Sequence, residues 1–382
     1  MLKNPPLSLY IHVPWCVQKC PYCDFNSHTL KNDIDEQAYI QHLLNDLDQD
    51  IERFSINRPL YSIFIGGGTP SLLSAEAIST LLTGVKQRFA PCVDDMEVTM
   101  EANPGTVEAD KFKGFANAGV NRLSIGVQSF ESDKLIKLGR IHDNQQAIRA
   151  AEIAKKCGVK SFNLDLMHGL EQQSIEGALD DLKQAIALEP DHLSWYQLTI
   201  EPNTSFYSKP PTLPDDDVLW QIQEQGLELL AEHGYQQYEV SAYSKAPNVR
   251  CRHNLNYWQN GDYLGIGCGA HGKITDASTN TITRTVKVKH PKGYMDDERE
   301  YLDHIHQVAD AERPFEYMMN RLRLFTPFTA QDFEQNTGLS IGKIEPALQQ
   351  AVNKQLLSYE QNQWQVSALG KRYLNDLLEM FL

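Results

Sequence analysis

Residues 10–23 read YIHVPWCVQKCPYC, and the placing of Cys16, Cys20 and Cys23 within them governs how the rest of the chain is read. The three cysteines fall in one short loop that follows at once on LSLYIHV (Leu7–Val13), a run with strand character. The other four, Cys92, Cys157, Cys251 and Cys268, are scattered. Seven cysteines with one tight group make a poor disulfide framework. The CX3CX2C loop offers three thiolates, whereas an ordinary electron-transfer [4Fe–4S] cluster takes four cysteines. Three would hold the cube and leave its last iron open to a small molecule. A tetrahedral zinc site would instead need a further ligand, for which His12 and His28 are nearby candidates.

Outward from this loop, strand-like and helical segments alternate. Leu7–Val13 is followed by an amphipathic stretch from about Asp35 to Phe54, with Tyr39, Ile40, Leu43, Leu44, Leu47 and Ile51 on one face. Tyr61–Ile65 precedes Gly66-Gly67-Gly68-Thr69-Pro70 and a helix opening near Ser74. Glu97–Met100 precedes Glu101-Ala102-Asn103-Pro104-Gly105 and another helix. Arg122–Val127, Ser161–Met167 and His192–Ile200 continue the series, with helices near Asn144–Cys157, Ser174–Leu188 and Asp215–His233. Such alternation predicts an α/β fold with right-handed βαβ units and a parallel sheet. Six units are too few for an eight-fold barrel, so the pattern predicts an open partial (β/α)6 barrel. Ligand sites in such sheets lie at the carboxyl ends of the strands.

The partial barrel is expected over residues 1–235. Residues 236–304 change to short strands and loops rich in Gly, Asn and Tyr, and residues 305–382 form a helical tail. In that tail Thr329, Asp332 and Ser340 are capping residues. Leu356–Val366, turning at Asn362, is a β-hairpin followed by a helix from Ser367. The order helix–helix–helix–hairpin–helix is that of a winged helix, which either binds DNA or serves as a structural or protein-contact module. Residues 310–382 hold seven Lys/Arg against nine Asp/Glu, which favours the second role.

Over the whole chain 35 Lys+Arg stand against 50 Asp+Glu, a net charge of −15 that argues against non-specific nucleic-acid binding. No apolar run approaches the ~18–20 residues of a membrane span. MLKNPPLSLYIHVPWC lacks the apolar core and cleavage site of a signal peptide, so a cytoplasmic location is expected.

The cysteine motif at the end of the first strand resembles the radical S-adenosylmethionine (SAM) superfamily. That resemblance implies a [4Fe–4S] cluster on Cys16, Cys20 and Cys23, whose open iron chelates the amino and carboxylate groups of SAM. One-electron reduction then cleaves SAM to a 5′-deoxyadenosyl radical, chemistry that belongs to the cofactor while the protein positions it. It also implies that Gly67, Gly68, Thr69 and Pro70 receive the methionine amino group. Glu101, Gln128 and Asp165 would hold the ribose and neighbouring atoms, and Arg140 would pair with the carboxylate through its planar fork. Tyr10 and Tyr22 are candidates for the same site. Each of these residues also has a plain reading as a cap or loop contact.

Within the superfamily, YIHVPWC, FIGGGTPS, EANPG, RLSIGVQSF, GRIH, NLDLMHGL, HNLNYW (His253–Trp258) and YLGIGCGAHG (Tyr263–Gly272) are similar to one group over nearly the whole chain. That group holds the oxygen-independent coproporphyrinogen III dehydrogenases and the haem chaperones. The dehydrogenases carry a further cysteine two residues after the third cluster ligand, where this chain has Phe25, and an N-terminal extension, where this chain has nine residues before Tyr10. Both departures point to the chaperone branch and away from coproporphyrinogen decarboxylation; radical SAM chemistry on another substrate, such as methyl transfer, has no motif of its own here. The chaperone branch implies haem as ligand and haem-requiring membrane or respiratory proteins as clients. It puts the haem iron on His253, with Arg250 and Arg252 for the propionates and Cys251 or His271 as other ligands. The bland alternative is a histidine packed under Tyr257 and Trp258. A homodimer governed by SAM or the cluster fits the family, and no residue pattern here bears on it.

Overall fold

The computed structural model describes residues 1–89, 95–106 and 108–382; Cys92 lies outside them. Six parallel strands form the centre: β1 (Leu7–Val13), β2 (Leu60–Gly67), β3 (Glu97–Ala102), β4 (Arg122–Gln128), β5 (Ser161–His168) and β6 (His192–Gln197). They pair in chain order, each with the next, as successive βαβ units require. Alternation sets the two faces. Leu7, Leu9, Ile11 and Val13 of β1 point outward into the main core, and Ser8, Tyr10 and His12 point inward.

The crossover helices cover the outer face: α1 (Glu36–Arg53), α2 (Ala75–Arg88), α3 (Ala109–Ala118), α4 (Asn144–Ala154), α5 (Ile175–Ala187) and α6 (Asp216–Glu232). Their starts are fixed by side chains that accept orphan N–H groups: Asp35 from Ala38, Ser74 from Ala77, Ser174 from Gly177 and Asp215 from Val218. Two boundaries fall three residues short of expectation. Helix α4 ends at Ala154, where the Cys157 thiol donates back to the Ala154 carbonyl at 3.3 Å. Strand β6 ends at Gln197, and the following Leu198 donates the last bond to the neighbouring strand, to the His168 carbonyl at 2.8 Å.

The sheet does not close. It runs to twelve strands by adding β7 (Gln236–Glu239) and β8 (Ala242–Ser244) beyond β6. On the other edge β9 (Asp262–Ile266), β10 (His271–Asp276), β11 (Thr281–Lys287) and β12 (Leu302–Gln307) extend it beyond β1. Strand β9 runs parallel to β1, and the outer strands are antiparallel. Helix α7 (Arg252–Trp258) plugs the barrel at the amino ends of its strands.

Residues 317–381 build a second core around Tyr317, Met318, Phe328, Phe333 and Leu348. It comprises α8 (Arg313–Arg321), α9 (Ala330–Thr337), α10 (Glu345–Asn353), the hairpin β13 (Leu357–Glu360) and β14 (Gln363–Val366), α11 (Ala368–Arg372) and α12 (Leu374–Glu379). Thr329 and Asp332 form a reciprocal capping box, and Asn362 makes the hairpin turn at φ +62°. Among the described residues no helix is long and apolar enough to cross a membrane.

Candidate functional site

The loop after β1 is stitched to the end of β2. Gly68 donates to the Val13 carbonyl at 2.7 Å and Thr69 to the Trp15 carbonyl at 2.7 Å; on the other side His28 and Leu30 donate to Pro14 and Cys16. This approach explains two of the glycines. Gly67 sits at φ +112°, and a Cβ there would lie 2.5 Å from the His12 ring. A Cβ on Gly68 would lie 2.5 Å from the Trp15 carbonyl oxygen. Any larger side chain would push the cysteine loop off the strand end.

Cys16, Cys20 and Cys23 are half-buried around one cavity of about 340 Å³ at the carboxyl ends of the strands. Tyr22, Gly67, Gly68, Thr69, Pro70, Glu101, Gln128, Arg140 and Asp165 line the same cavity, so the structure gathers there every residue named for cluster or SAM except Tyr10. Burial raises the pKa of the Cys16 and Cys23 thiols, so a bound metal's charge is needed to hold them as thiolates. Among the described residues no three His, Cys, Asp or Glu converge on a single ion. A cube gives each of three irons one thiolate, so its ligands surround the cluster rather than a point. Of the zinc alternative's candidates, His12 is held by Tyr10 Oη at 2.9 Å and the Asn26 carbonyl at 2.8 Å, and His28, with Nε2 3.0 Å from the Lys289 carbonyl, is not among the residues lining the cysteine cavity. The donor set fits a cluster.

The rest of the cavity is built for polar atoms. Glu101, at the end of β3, accepts from the Gly67 N–H at 3.0 Å; burial, with Asp165 nearby, pushes its carboxyl up to about 8. Asp165 is also raised by burial, against hydrogen bonds from Ser124 at 2.9 Å and Asn163 at 2.8 Å. Arg140 is half-buried, with Nη2 on the Gly126 carbonyl at 2.6 Å, Nη1 3.7 Å from Cys20 Sγ, and a buried Nε without a partner. Gln128 holds φ +70° at a register shift in β4, a strained backbone that turns its amide into the cavity. Its Oε1 accepts from Tyr196 at 2.9 Å. Tyr196 also lines the cavity and was missed from sequence; its place on the inward face near the end of the sixth strand was the available signal.

Two named residues lie elsewhere. Tyr10 points inward but spends its hydroxyl on His12, behind the cavity wall. His253 stands at the opposite end of the barrel, in the first turn of α7. The Arg252 and His253 N–H groups rest on the Glu97 carboxylate at 2.9 and 3.1 Å, a negative charge at a helix N-terminus. The His253 ring is buried against Phe64, its centroid 5.1 Å away, with Nδ1 3.3 Å from Ser62 Oγ. Burial lowers its pKa to about 3, so it is a neutral core histidine. Arg252 pairs with Asp95 at 2.7 Å, Arg250 lies over the Tyr238 ring, and burial pushes the Cys251 thiol up to about 12. His271 is exposed on the rim. In this arrangement the His253–Trp258 motif is a plug, with Asn256 on the wall of a cavity of about 440 Å³ that Tyr317 and Arg321 also line.

A three-cysteine loop at the head of a parallel partial barrel, facing a polar cavity, defines a radical SAM protein, and residues 10–182 match the radical SAM superfamily. Residues 308–373 match the HemN C-terminal domain. The fold as a whole is that of the solved coproporphyrinogen III oxidase HemN from Escherichia coli, with TM-score 0.82 at 23% identity over 99% of this chain and 90% of that one. Among curated proteins the chain is 58% identical to the heme chaperone HemW of Escherichia coli (strain K12), over 100% of both. It is 57% identical to that of Haemophilus influenzae, over 100% of this chain and 99% of the relative, and 35% identical to that of Bacillus subtilis, over 98% and 99%. The chain belongs to the heme chaperone HemW family of radical SAM proteins. Membership implies a [4Fe–4S] cluster and SAM.

Proposed function

We propose that the chain is a haem chaperone, which binds haem and delivers it to haem-requiring proteins. Its main support is the end-to-end likeness to the HemW relatives. Phe25 adds to it: the ring is 59% exposed and lines the mouth of the cavity, at the position where the dehydrogenases carry a further cysteine. The residues around the cavity then have these roles. Cys16, Cys20 and Cys23 hold the cluster; when bound, it supplies an electron to SAM. Gly67, Gly68, Thr69 and Pro70 present backbone to the methionine amino group, and Arg140, whose Nε is free, takes the carboxylate. Glu101, Gln128 and Asp165 accept from the ribose hydroxyls, and Tyr22 closes the side of the cysteine loop. Residues 1–235, 236–304 and 305–382 act as barrel, extension and helical cover, in a protein that works in the cytoplasm. The competing function, oxidative decarboxylation of coproporphyrinogen III, gives the test. Reconstituted protein incubated anaerobically with SAM, reductant and coproporphyrinogen III should yield no decarboxylated product by chromatography. Protoporphyrinogen formed in step with 5′-deoxyadenosine would replace the chaperone by the oxidase.

A further inference from the structure

Beneath the cysteine cavity the barrel lumen is polar, and its side chains form one continuous hydrogen-bonded run. Strand register places Ser124, Asn163 and His192 side by side as one layer, and Gly126, Asp165 and Ser194 as the next layer toward the cavity. Asn163 is buried at the centre, and all four hydrogen-bonding positions of its amide are filled. Nδ2 donates to Asp165 Oδ1 and to Ser124 Oγ, both at 2.8 Å. Oδ1 accepts from His192 Nδ1 at 2.6 Å and from Ser194 Oγ at 3.2 Å. Ser124 in turn donates to Asp165 Oδ2 at 2.9 Å. A carboxylate and a hydroxyl whose proton is already committed both demand N–H groups, so the amide has a single orientation.

That orientation fixes the imidazole. Because Asn163 Oδ1 accepts, His192 carries its proton on Nδ1 and offers the Nε2 lone pair to the Tyr238 hydroxyl at 2.8 Å. Burial, with Arg122 and Arg250 nearby, lowers the His192 pKa and keeps the ring neutral, able to donate at one nitrogen and accept at the other. Tyr238 accepts from the Cys251 N–H at 3.4 Å, just ahead of α7. Every donor in the run points the same way, from the backbone at the plug to Asp165. There each carboxylate oxygen has taken one protein donor and keeps a lone pair for the cavity that Asp165 lines. Two such oxygens side by side fit two neighbouring hydroxyls, as on a ribose.

We propose that Asn163 and His192 are positioning residues of the SAM site, which set the rotation of the Asp165 carboxylate that receives the ribose; the inference rests on the ribose role proposed for Asp165. Neither lines the cavity, so both act through Asp165. The residue type at 163 follows from the geometry. Aspartate would lack the donors and set a second carboxylate against Asp165, and leucine would lack donors and acceptor alike.

The test is SAM binding to cluster-loaded protein by anaerobic calorimetry, with iron content, circular dichroism and the electron paramagnetic resonance of the reduced cluster read alongside. Asn163→Leu is expected to weaken SAM binding about tenfold. His192→Leu is expected to weaken it about threefold or more, whereas His192→Asn, which keeps an N–H where Nδ1 stood, is expected to stay within about twofold of wild type. At saturating SAM each variant is expected to show the wild-type resonance, because the methionine end is untouched. If a folded Asn163→Leu binds SAM as wild type does, or His192→Leu and His192→Asn bind it equally, the two residues only fill the lumen and the inference falls. A changed resonance at saturation in His192→Leu would also overturn it, by placing the damage at the cluster. Should Asn163→Leu fail to fold, the two His192 variants decide. Asp165→Ala separates the two failures: wild-type affinity there would remove the ribose role itself, and the inference with it.

Discussion

Replacing Glu101 by Gln isolates what the cavity costs the fold. The carboxyl lies half-buried in the cavity wall, and burial together with Asp165 carries it from its ordinary 4.5 to about 8. A carboxyl raised in the folded state keeps a proton that the unfolded chain has lost, so folding loses stability as pH rises. The penalty is absent below about pH 4.5, builds across the interval, and is complete above about pH 8. At about 1.36 kcal/mol per pH unit, its ceiling is about 5 kcal/mol. With an unfolding entropy of about 2.1 cal/mol/K per residue, that corresponds to about 6 °C in Tm for a chain of this length. Glutamine keeps the acceptor for the Gly67 N–H and cannot ionise. Thermal scans of cofactor-free protein at pH 5 and pH 8.5 should therefore show Glu101→Gln gaining several degrees over wild type at the higher pH and little at the lower. At pH 8.5, where the carboxyl is ionised, the same variant should bind SAM about tenfold or more weakly, because a charge-assisted hydrogen bond is worth about 1.5–3 kcal/mol. Identical pH dependence in the two proteins would refute a raised carboxyl at this position.

Further expectations concern the rest of the cavity. Cys16→Ser, Cys20→Ser and Cys23→Ser should each abolish the iron content and brown absorbance of reconstituted protein, while Cys157→Ser, remote from the cavity, should retain both. Gly68→Ala forces a methyl group against the Trp15 carbonyl, and should lower iron loading and SAM affinity together, read by iron assay and calorimetry. Arg140→Ala removes a cation 3.7 Å from Cys20 Sγ, and should weaken SAM binding about tenfold or more and lower the cluster's reduction potential in a redox titration.

The parallel strands and their site were legible because local chemistry sets them. Alternation along Leu7–Val13 fixes which side chains face inward, and Ser74, Ser174 and Asp215 start their helices as their residue types dictate. With each strand end placed, Glu101, Gln128 and Asp165 fall around one cavity without any knowledge of the packing. The outer strands β9–β12 were less legible because their pattern is polar where the structure is buried. Lys273 is enclosed against Asp262 at 3.0 Å, and Lys287 against Asp46 and Asp50 at 2.5 and 2.7 Å. Lysines read as solvent-facing unless their partners are known, and Asp46 and Asp50 lie far off in α1. The place of His253 could not be read from sequence for the same reason. Its place is set by Glu97, distant in sequence, whose carboxylate receives the helix start. Long-range ion pairs and caps of this kind leave no local signature.

The most direct measurement is the stoichiometry of haem binding by the cluster-loaded protein, followed by titration and confirmed on the isolated complex. The account predicts saturable binding of one haem per chain. Absence of saturable binding, with cluster and SAM in place, would contradict it.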